Sequence, residues 1–258
     1  MATHARLEVI EDTAHIHLFE DNPRHPCTLD WDVLHELDGL IEKIIGEGDK
    51  YAATVVESDS EKSFVVGANI AALEELTPVS ILDWVHLGHD VFQKFNKIPA
   101  PVIAVVRHNA LGGGLELAMA CDFIIAGESA SFGQPEASLG VMPGWGGSYR
   151  LATLVGPARA KEMFFTGRKL SAREAYEWGI VNHVVPDDEL DSCLHDILSM
   201  IRSNDRQVQK FVKNFINERF CSSMPMDASF EAISSSVCLN SEGTARRLSD
   251  FFTSRKKH

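Results

Sequence analysis

The eleven residues GGGLELAMACD, Gly112 to Asp122, constrain this chain more than any other segment. Three glycines let the backbone turn sharply and approach a ligand closely. The apolar run after them reads as a short helix buried on every side. A helix start preceded by glycine also presents unpaired N–H groups, the local requirement for stabilising an anion. Within this apolar run stands one carboxylate, Glu116. Burying a carboxylate costs several kcal/mol unless it is paired or used, and about 1.4 kcal/mol of differential free energy corresponds to one pKa unit.

A second isolated carboxylate, Glu136, follows Pro135 in SFGQPEASLGVMPGWGG, a stretch poor in other charge. Two such segments, each with one glutamate, suggest a general acid/base pair. Upstream, KSFVVGANI runs a short apolar strand into Gly67 and begins a helical pattern at Asn69, so that a second set of backbone N–H groups is directed at one place.

The flanking pattern alternates strands and helices. Leu7 to Ile10 and Ala14 to Leu18 read as strands joined by a turn at Glu11 to Thr13. Leu34, Leu37, Ile41 and Ile44 recur at helical spacing and are closed by Gly46 and Gly48. Ala52 to Val56, Phe64 to Val66 and Val102 to Val106 read as buried strands, with a helix from about Pro78 to Lys97. This order predicts an α/β core with parallel strands. After Asp187 the chain turns helical, with Val208, Phe211, Val212, Phe215 and Ile216 marking one helix face and further helices over Asp227 to Arg255. The expected division is a core over 1–203 and a helical region over 204–258, with a hinge at Ser203 to Arg206 and no internal repeat.

Four segments in this order, KSFVVGANI, ALGGGLELAMACD, SFGQPEASLGVMPGWGGSYRL and FTGRKLSAREAYEWGIVNHVVP, resemble the crotonase (enoyl-CoA hydratase/isomerase) superfamily, most closely its hydratases. The resemblance covers nearly the whole chain and is densest from Lys62 to Pro186. It implies a β-β-α superhelix whose C-terminal helices assemble trimers, often paired as hexamers. It also implies a 2-enoyl-CoA thioester as substrate and water as co-substrate, with no metal or redox cofactor, since coenzyme A belongs to the substrate. The N–H groups of Ala68 and Gly113 would form the oxyanion hole. Glu116 would activate the water, and Glu136 would hold it and supply the α-proton. Val66, Ala68, Asn69, Ile70 and Gly112 would meet the coenzyme, its adenine near Val66 to Ile70. Lys62 and the basic tail Arg255, Lys256 and Lys257 would approach its phosphates.

The same resemblance admits other reactions on a CoA thioester: double-bond isomerisation, hydration of a dienoyl or cyclic enoyl substrate, and thioester hydrolysis. The family's isomerases typically keep only the carboxylate at the Glu136 position, so the pair favours hydration. A catalytically idle scaffold or nucleic-acid-binding member is disfavoured by that pair and by the net charge of −13, which also argues against anionic membranes. Two departures bear on substrate identity: Arg107, His108 and Asn109 stand before Ala110 where the family commonly has N-G-x, and Asn69 replaces the common Asp.

The remaining signals are bland. Five widely spaced cysteines with no C-x-x-C pair predict free thiols in a reducing compartment. No signal peptide and no span of roughly 20 apolar residues is present, so a soluble cytoplasmic protein is expected, and an imported organelle protein trimmed of its leader would read the same. His15 with His17 and His86 with His89 are spaced to share a face but read as surface or core histidines, since a metal site would need more ligands. Leu73, Leu76, Ile81, Trp84 and Trp145 could line an acyl pocket, and core packing would explain them equally well.

Overall fold

The computed structural model describes residues 2–220 and 224–255. The chain opens with a hairpin, β1 (His4–Ile10) and β2 (Thr13–Phe19), followed by α1 (Trp31–Gly46) and β3 (Ala53–Ser58). Next come β4 (Ser63–Val65), α2 (Ile70–Glu74), α3 (Ser80–Lys94), β5 (Val102–Val106), β6 (Asn109–Leu111) and α4 (Gly113–Ala120). β7 (Phe123–Gly127), β8 (Ser131–Gly133), α5 (Glu136–Leu139), α6 (Gly147–Val155) and α7 (Pro157–Thr166) continue the order. The chain ends with β9 (Lys169–Ser171), α8 (Ala172–Trp178), β10 (His183–Val185) and the helices α9 (Leu190–Ser203), α10 (Arg206–Phe220), α11 (Met224–Leu239) and α12 (Glu242–Arg255).

Two sheets organise these elements. The larger has the order β1-β2-β3-β5-β7-β10 and the smaller β4-β6-β8-β9; among the described residues the β1–β2 and β8–β9 pairs are antiparallel and the other pairs parallel. Burial on both faces of the large sheet explains its nearly continuous apolar strands. Val102, Ala104 and Val106 of β5 join the main core with α1 and α3, whereas Ile103 and Val105 join Leu190, Leu194, Ile197 and Leu198 of α9 on the other face. A β-β-α unit thus recurs as β3-β4-α2, β5-β6-α4 and β7-β8-α5. The repetition is one of backbone path, carried by different residues each time, which is why the sequence shows no repeat.

The predicted elements appear with small shifts of boundary. The first turn tightens to Glu11 and Asp12, with Glu11 in the left-handed region at φ 54°. Asn69 caps α2, accepting from the Ala71 and Ala72 N–H groups at 3.1 and 3.4 Å, a contribution of about 1 kcal/mol. His108, by contrast, does not take a left-handed backbone, since Glu11 is the positive-φ non-glycine residue of the described chain.

The predicted apolar face of α10 is real but points outward: Phe211 is 60% and Phe215 72% exposed. The inward face docks through Lys213, which pairs with Asp122 at 2.7 Å and donates to the Ala100 carbonyl at 3.0 Å. Burial pulls the Lys213 pKa below its ordinary value, against the opposing pull of Asp122. Cys27, Cys121, Cys193 and Cys238 are free thiols, and Cys221 lies outside the described residues. None of the described helices is long and apolar enough to cross a membrane.

Candidate active site

The three glycine- or proline-bearing motifs meet because their strands are neighbours. β4, β6 and β8 run parallel in the small sheet, so their carboxyl ends lie side by side. The segments that leave those ends are Gly67-Ala68, Gly112-Gly113 and Gln134-Pro135-Glu136. A crevice at the carboxyl ends of parallel strands is the usual ligand position in α/β sheets.

Glycine is required at the first two turns. Gly67 has φ 101° and Gly112 φ 52°. They also approach each other closely: a Cβ on Gly67 would lie 3.2 Å from the Leu111 carbonyl oxygen and 3.6 Å from the Gly113 nitrogen. Leu29 bridges this segment by donating to the Gly67 carbonyl at 2.9 Å and accepting from the Asn69 N–H at 2.7 Å. The intervening Ala68 N–H is therefore turned away from the bridge. Gly113 begins α4, so no helical carbonyl can accept its N–H. Both residues line one cavity with Val66, Ile70, Gly112, Glu116 and Glu136.

All eight residues of α4 are buried, including Glu116 at 2% exposure. Its Oε1 accepts from the Trp145 N–H at 2.9 Å and the Gly147 N–H at 2.7 Å. Burial, assisted by the nearby Glu231 carboxylate, raises its pKa to about 8 against these two donors. Glu136, the first residue of α5, sits across the cavity; burial and the neighbouring Glu116 hold its carboxyl well above the usual carboxylate range. The Gln134 amide lies 2.6 and 3.0 Å from its two oxygens. Two raised carboxyls beside two free backbone donors can exchange protons with a bound molecule while an anion forms on it.

Two tryptophans are among the apolar lining of the cavity. Trp84, Ile81, Leu73 and Trp145 line it, as the sequence suggested, whereas Leu76 packs at the edge of the main core instead. The Trp145 and Trp84 rings are 5.6 Å apart, and Trp145 Nε1 donates to the Trp84 carbonyl at 3.2 Å. Trp145 is wedged between two glycines: a Cβ on Gly88 would lie 2.1 Å from its ring and one on Gly113 2.5 Å. Gly88 is thus a mid-helix glycine with a packing reason. Its replacement by alanine, favoured by about 1 kcal/mol on helix propensity alone, is expected to destabilise by about 1–3 kcal/mol through overpacking, read as a lower denaturation midpoint with unchanged slope.

Other predicted positions fall away from the cavity. Lys62 is exposed beside β4 and, with Asn69, is not among the lining residues. Lys256 and Lys257 lie outside the described residues, as does the side chain of Arg255. Arg107 pairs with Asp191, and Asn109 ties Ser131 Oγ to the Lys62 carbonyl, so this loop braces strands. His15 and His17 pair with Glu57 and Asp59 on the sheet face, and His89 bonds Glu231 at 2.9 Å. Sequence reasoning missed Gln134 and Glu231; Gln134 had a signal in its place two residues before Glu136, and Glu231 had none.

These features define a protein of the α/β class with a paired-carboxyl, backbone-donor cavity at the ends of parallel strands. The chain belongs to the enoyl-CoA hydratase/isomerase family, whose pattern it matches over residues 12–252. It is 36% identical over 236 residues to the short-chain-enoyl-CoA hydratase of Clostridium acetobutylicum, covering 92% of this chain and 90% of the relative. With the crotonyl-CoA hydratase of Syntrophomonas wolfei it shares 34% over 239 residues, covering 93% and 92%. The crystal structure of an enoyl-CoA hydratase from Bacillus anthracis superposes with a TM-score of 0.77 at 29% identity, covering 99% of this chain and 97% of that one. One from Bacillus halodurans has the same fold with a TM-score of 0.88 at 19% identity, covering 96% and 99%.

Proposed function

We propose that this protein is a hydro-lyase that adds water across the double bond of a 2-enoyl-CoA thioester. The observation that carries the reading is the pair of raised carboxyls, Glu116 and Glu136, in one cavity with the unpartnered donors of Ala68 and Gly113. The thioester oxygen would accept from both N–H groups, each worth about 3–4 kcal/mol as negative charge develops on it. Glu116, deprotonated, takes the proton of the water that attacks the β-carbon. Glu136, protonated, delivers a proton to the α-carbon as the enolate collapses. Water and enoyl thioester combine into the 3-hydroxyacyl thioester with no atom left over, so the reading includes no metal or redox cofactor.

Bulky Trp84 and Trp145 in the lining of the cavity favour short acyl groups, in keeping with the short-chain and crotonyl names of the two relatives. Val66, Ala68, Ile70 and Gly112 would line the thioester and pantetheine path, with Asn69 holding the turn and Lys62 and the basic tail meeting phosphate. The outward apolar faces of α10 and of α11, where Phe230 and Ile233 are 64% and 62% exposed, support a homotrimer or homohexamer built on residues 204–258. Free thiols at the four described cysteines suit a reducing cytoplasmic location. No nucleic-acid or membrane partner belongs to this reading.

The test is a panel of enoyl-CoA esters followed by loss of the conjugated thioester absorbance and by product mass. Crotonyl-CoA should gain one water; an unchanged mass with a moved double bond would replace the reading with isomerisation. The pH profile provides a second check. The active pair carries one proton, on Glu136, so kcat/KM should fall on the acid side as Glu116 takes a proton near pH 8. It should fall again on the alkaline side as Glu136 loses its own. A flat profile from pH 5 to 9 would remove Glu116 from the role of base.

A further inference from the structure

The loop that holds Glu116 is itself held by a third buried carboxyl. Successive backbone N–H groups of residues 145–148 alternate between two acceptors. Trp145 and Gly147 donate to Glu116, while Gly146 donates to Glu231 Oε2 at 2.9 Å and Ser148 to Glu231 Oε1 at 3.3 Å. The Ser148 hydroxyl also donates to Glu231 Oε1, and His89 of α3 bonds Oε2 at 2.9 Å. Glu231 is fully buried, on α11, far in sequence from every other part of the site.

The glycines of this loop serve the same arrangement. Gly146 has φ 99°, and a Cβ on it would lie 2.1 Å from Arg150 Nη1, which donates to the Trp145 carbonyl at 2.6 Å. A Cβ on Gly147 would lie 2.9 Å from Glu116 Oε1. A side chain at Gly147 would meet the Glu116 carboxyl, and one at Gly146 would meet the Arg150 guanidinium.

We propose that Glu231 is a positioning residue for the hydration reaction: by taking the N–H groups of Gly146 and Ser148 it aims those of Trp145 and Gly147 at the Glu116 carboxyl. This rests on the reading of Glu116 as the base. Glu231 touches neither water nor thioester; it acts through the loop and through its charge. The titratable groups around it are His89 from α3, whose ring stacks on Tyr149 of α6, Glu116 from α4, with Arg150 of α6 acting on it, and Glu136 from α5. Its negative charge adds to the burial that raises Glu116.

Two variants separate these effects in the full-length enzyme with crotonyl-CoA. Glu231→Ala removes both acceptors and should lower kcat about 10- to 100-fold, the scale of a misplacement of about 1 Å at a catalytic group, with KM changed less than about threefold. Hydrogen exchange of the peptide containing residues 145–148, read by mass spectrometry, should accelerate about tenfold or more. Glu231→Gln keeps an oxygen for Gly146 and His89 but removes the charge. It should recover kcat to within about fivefold of wild type and move the acid limb of kcat/KM to lower pH, because a negative charge beside Glu116 is gone. A folded Glu231→Ala protein with kcat within about twofold of wild type and unchanged exchange would overturn the proposal. Should the alanine variant fail to fold, an acid limb unmoved in Glu231→Gln overturns it. Failure of the wild-type enzyme to hydrate any ester would sink the functional reading alone, since the exchange measurement still decides whether Glu231 holds the loop.

Discussion

Replacing Glu116 by glutamine is expected to lower the kcat for hydration by about 100- to 10,000-fold, the usual worth of a positioned proton-transfer group. The substitution is unusually clean. Both loop donors go to the same oxygen, Glu116 Oε1, so a glutamine carbonyl can accept both and leave the loop in place. Glu136→Gln should cost a similar factor, and the double variant far less than the product of the two, because the groups serve one proton-transfer cycle. Near wild-type turnover in either single variant would end the paired-carboxyl mechanism.

Stability should move the other way. A carboxyl whose folded-state pKa is raised from 4.5 to about 8 contributes stability that is fully present below the unfolded value and is lost as pH rises through the folded one. Glu116→Gln lacks that loss. Its melting temperature should therefore exceed that of wild type by a margin that grows from pH 5 to pH 9. A margin that shrinks with rising pH would mean that burial does not penalise the Glu116 anion.

Deleting the Ala68 N–H is expected to lower kcat about 100- to 1,000-fold, or about 3–4 kcal/mol. Ala68→Pro removes the donor, and Ala68→Gly keeps it while trimming only the methyl. The site has little slack: Ala68 follows Gly67 at φ 101° and is flanked by the two Leu29 hydrogen bonds. Proline restricts its own φ and the conformation of the residue before it. The comparison is therefore made only between variants that melt near wild type and bind a saturated acyl-CoA. Equal turnover in the proline and wild-type proteins would show that Ala68 does not face the thioester oxygen.

Local chemistry was legible in the sequence wherever it was written in adjacent residues. The all-buried helix after Gly112 with a lone glutamate, the apolar strands, the Asn69 cap and the turns at Gly67 and Gly112 each follow from a handful of neighbours, because periodicity, capping and left-handed turns are short-range effects. Four such segments in order were enough to suggest the family. The arrangement of the site was not legible in this way. Only the pairing of β4, β6 and β8 brings Ala68, Gly113 and Glu136 to one edge. Only the crossing of α3 by the 145–148 loop explains why Gly88 must lack a side chain. Glu231 shows the limit most clearly: in the sequence it is one of 37 acidic residues, and in the fold it is fully buried against the loop that holds Glu116. Its role comes from desolvation and from N–H groups 83 to 85 residues away, and both depend on through-space distance, which a linear chain acquires only when its core has packed.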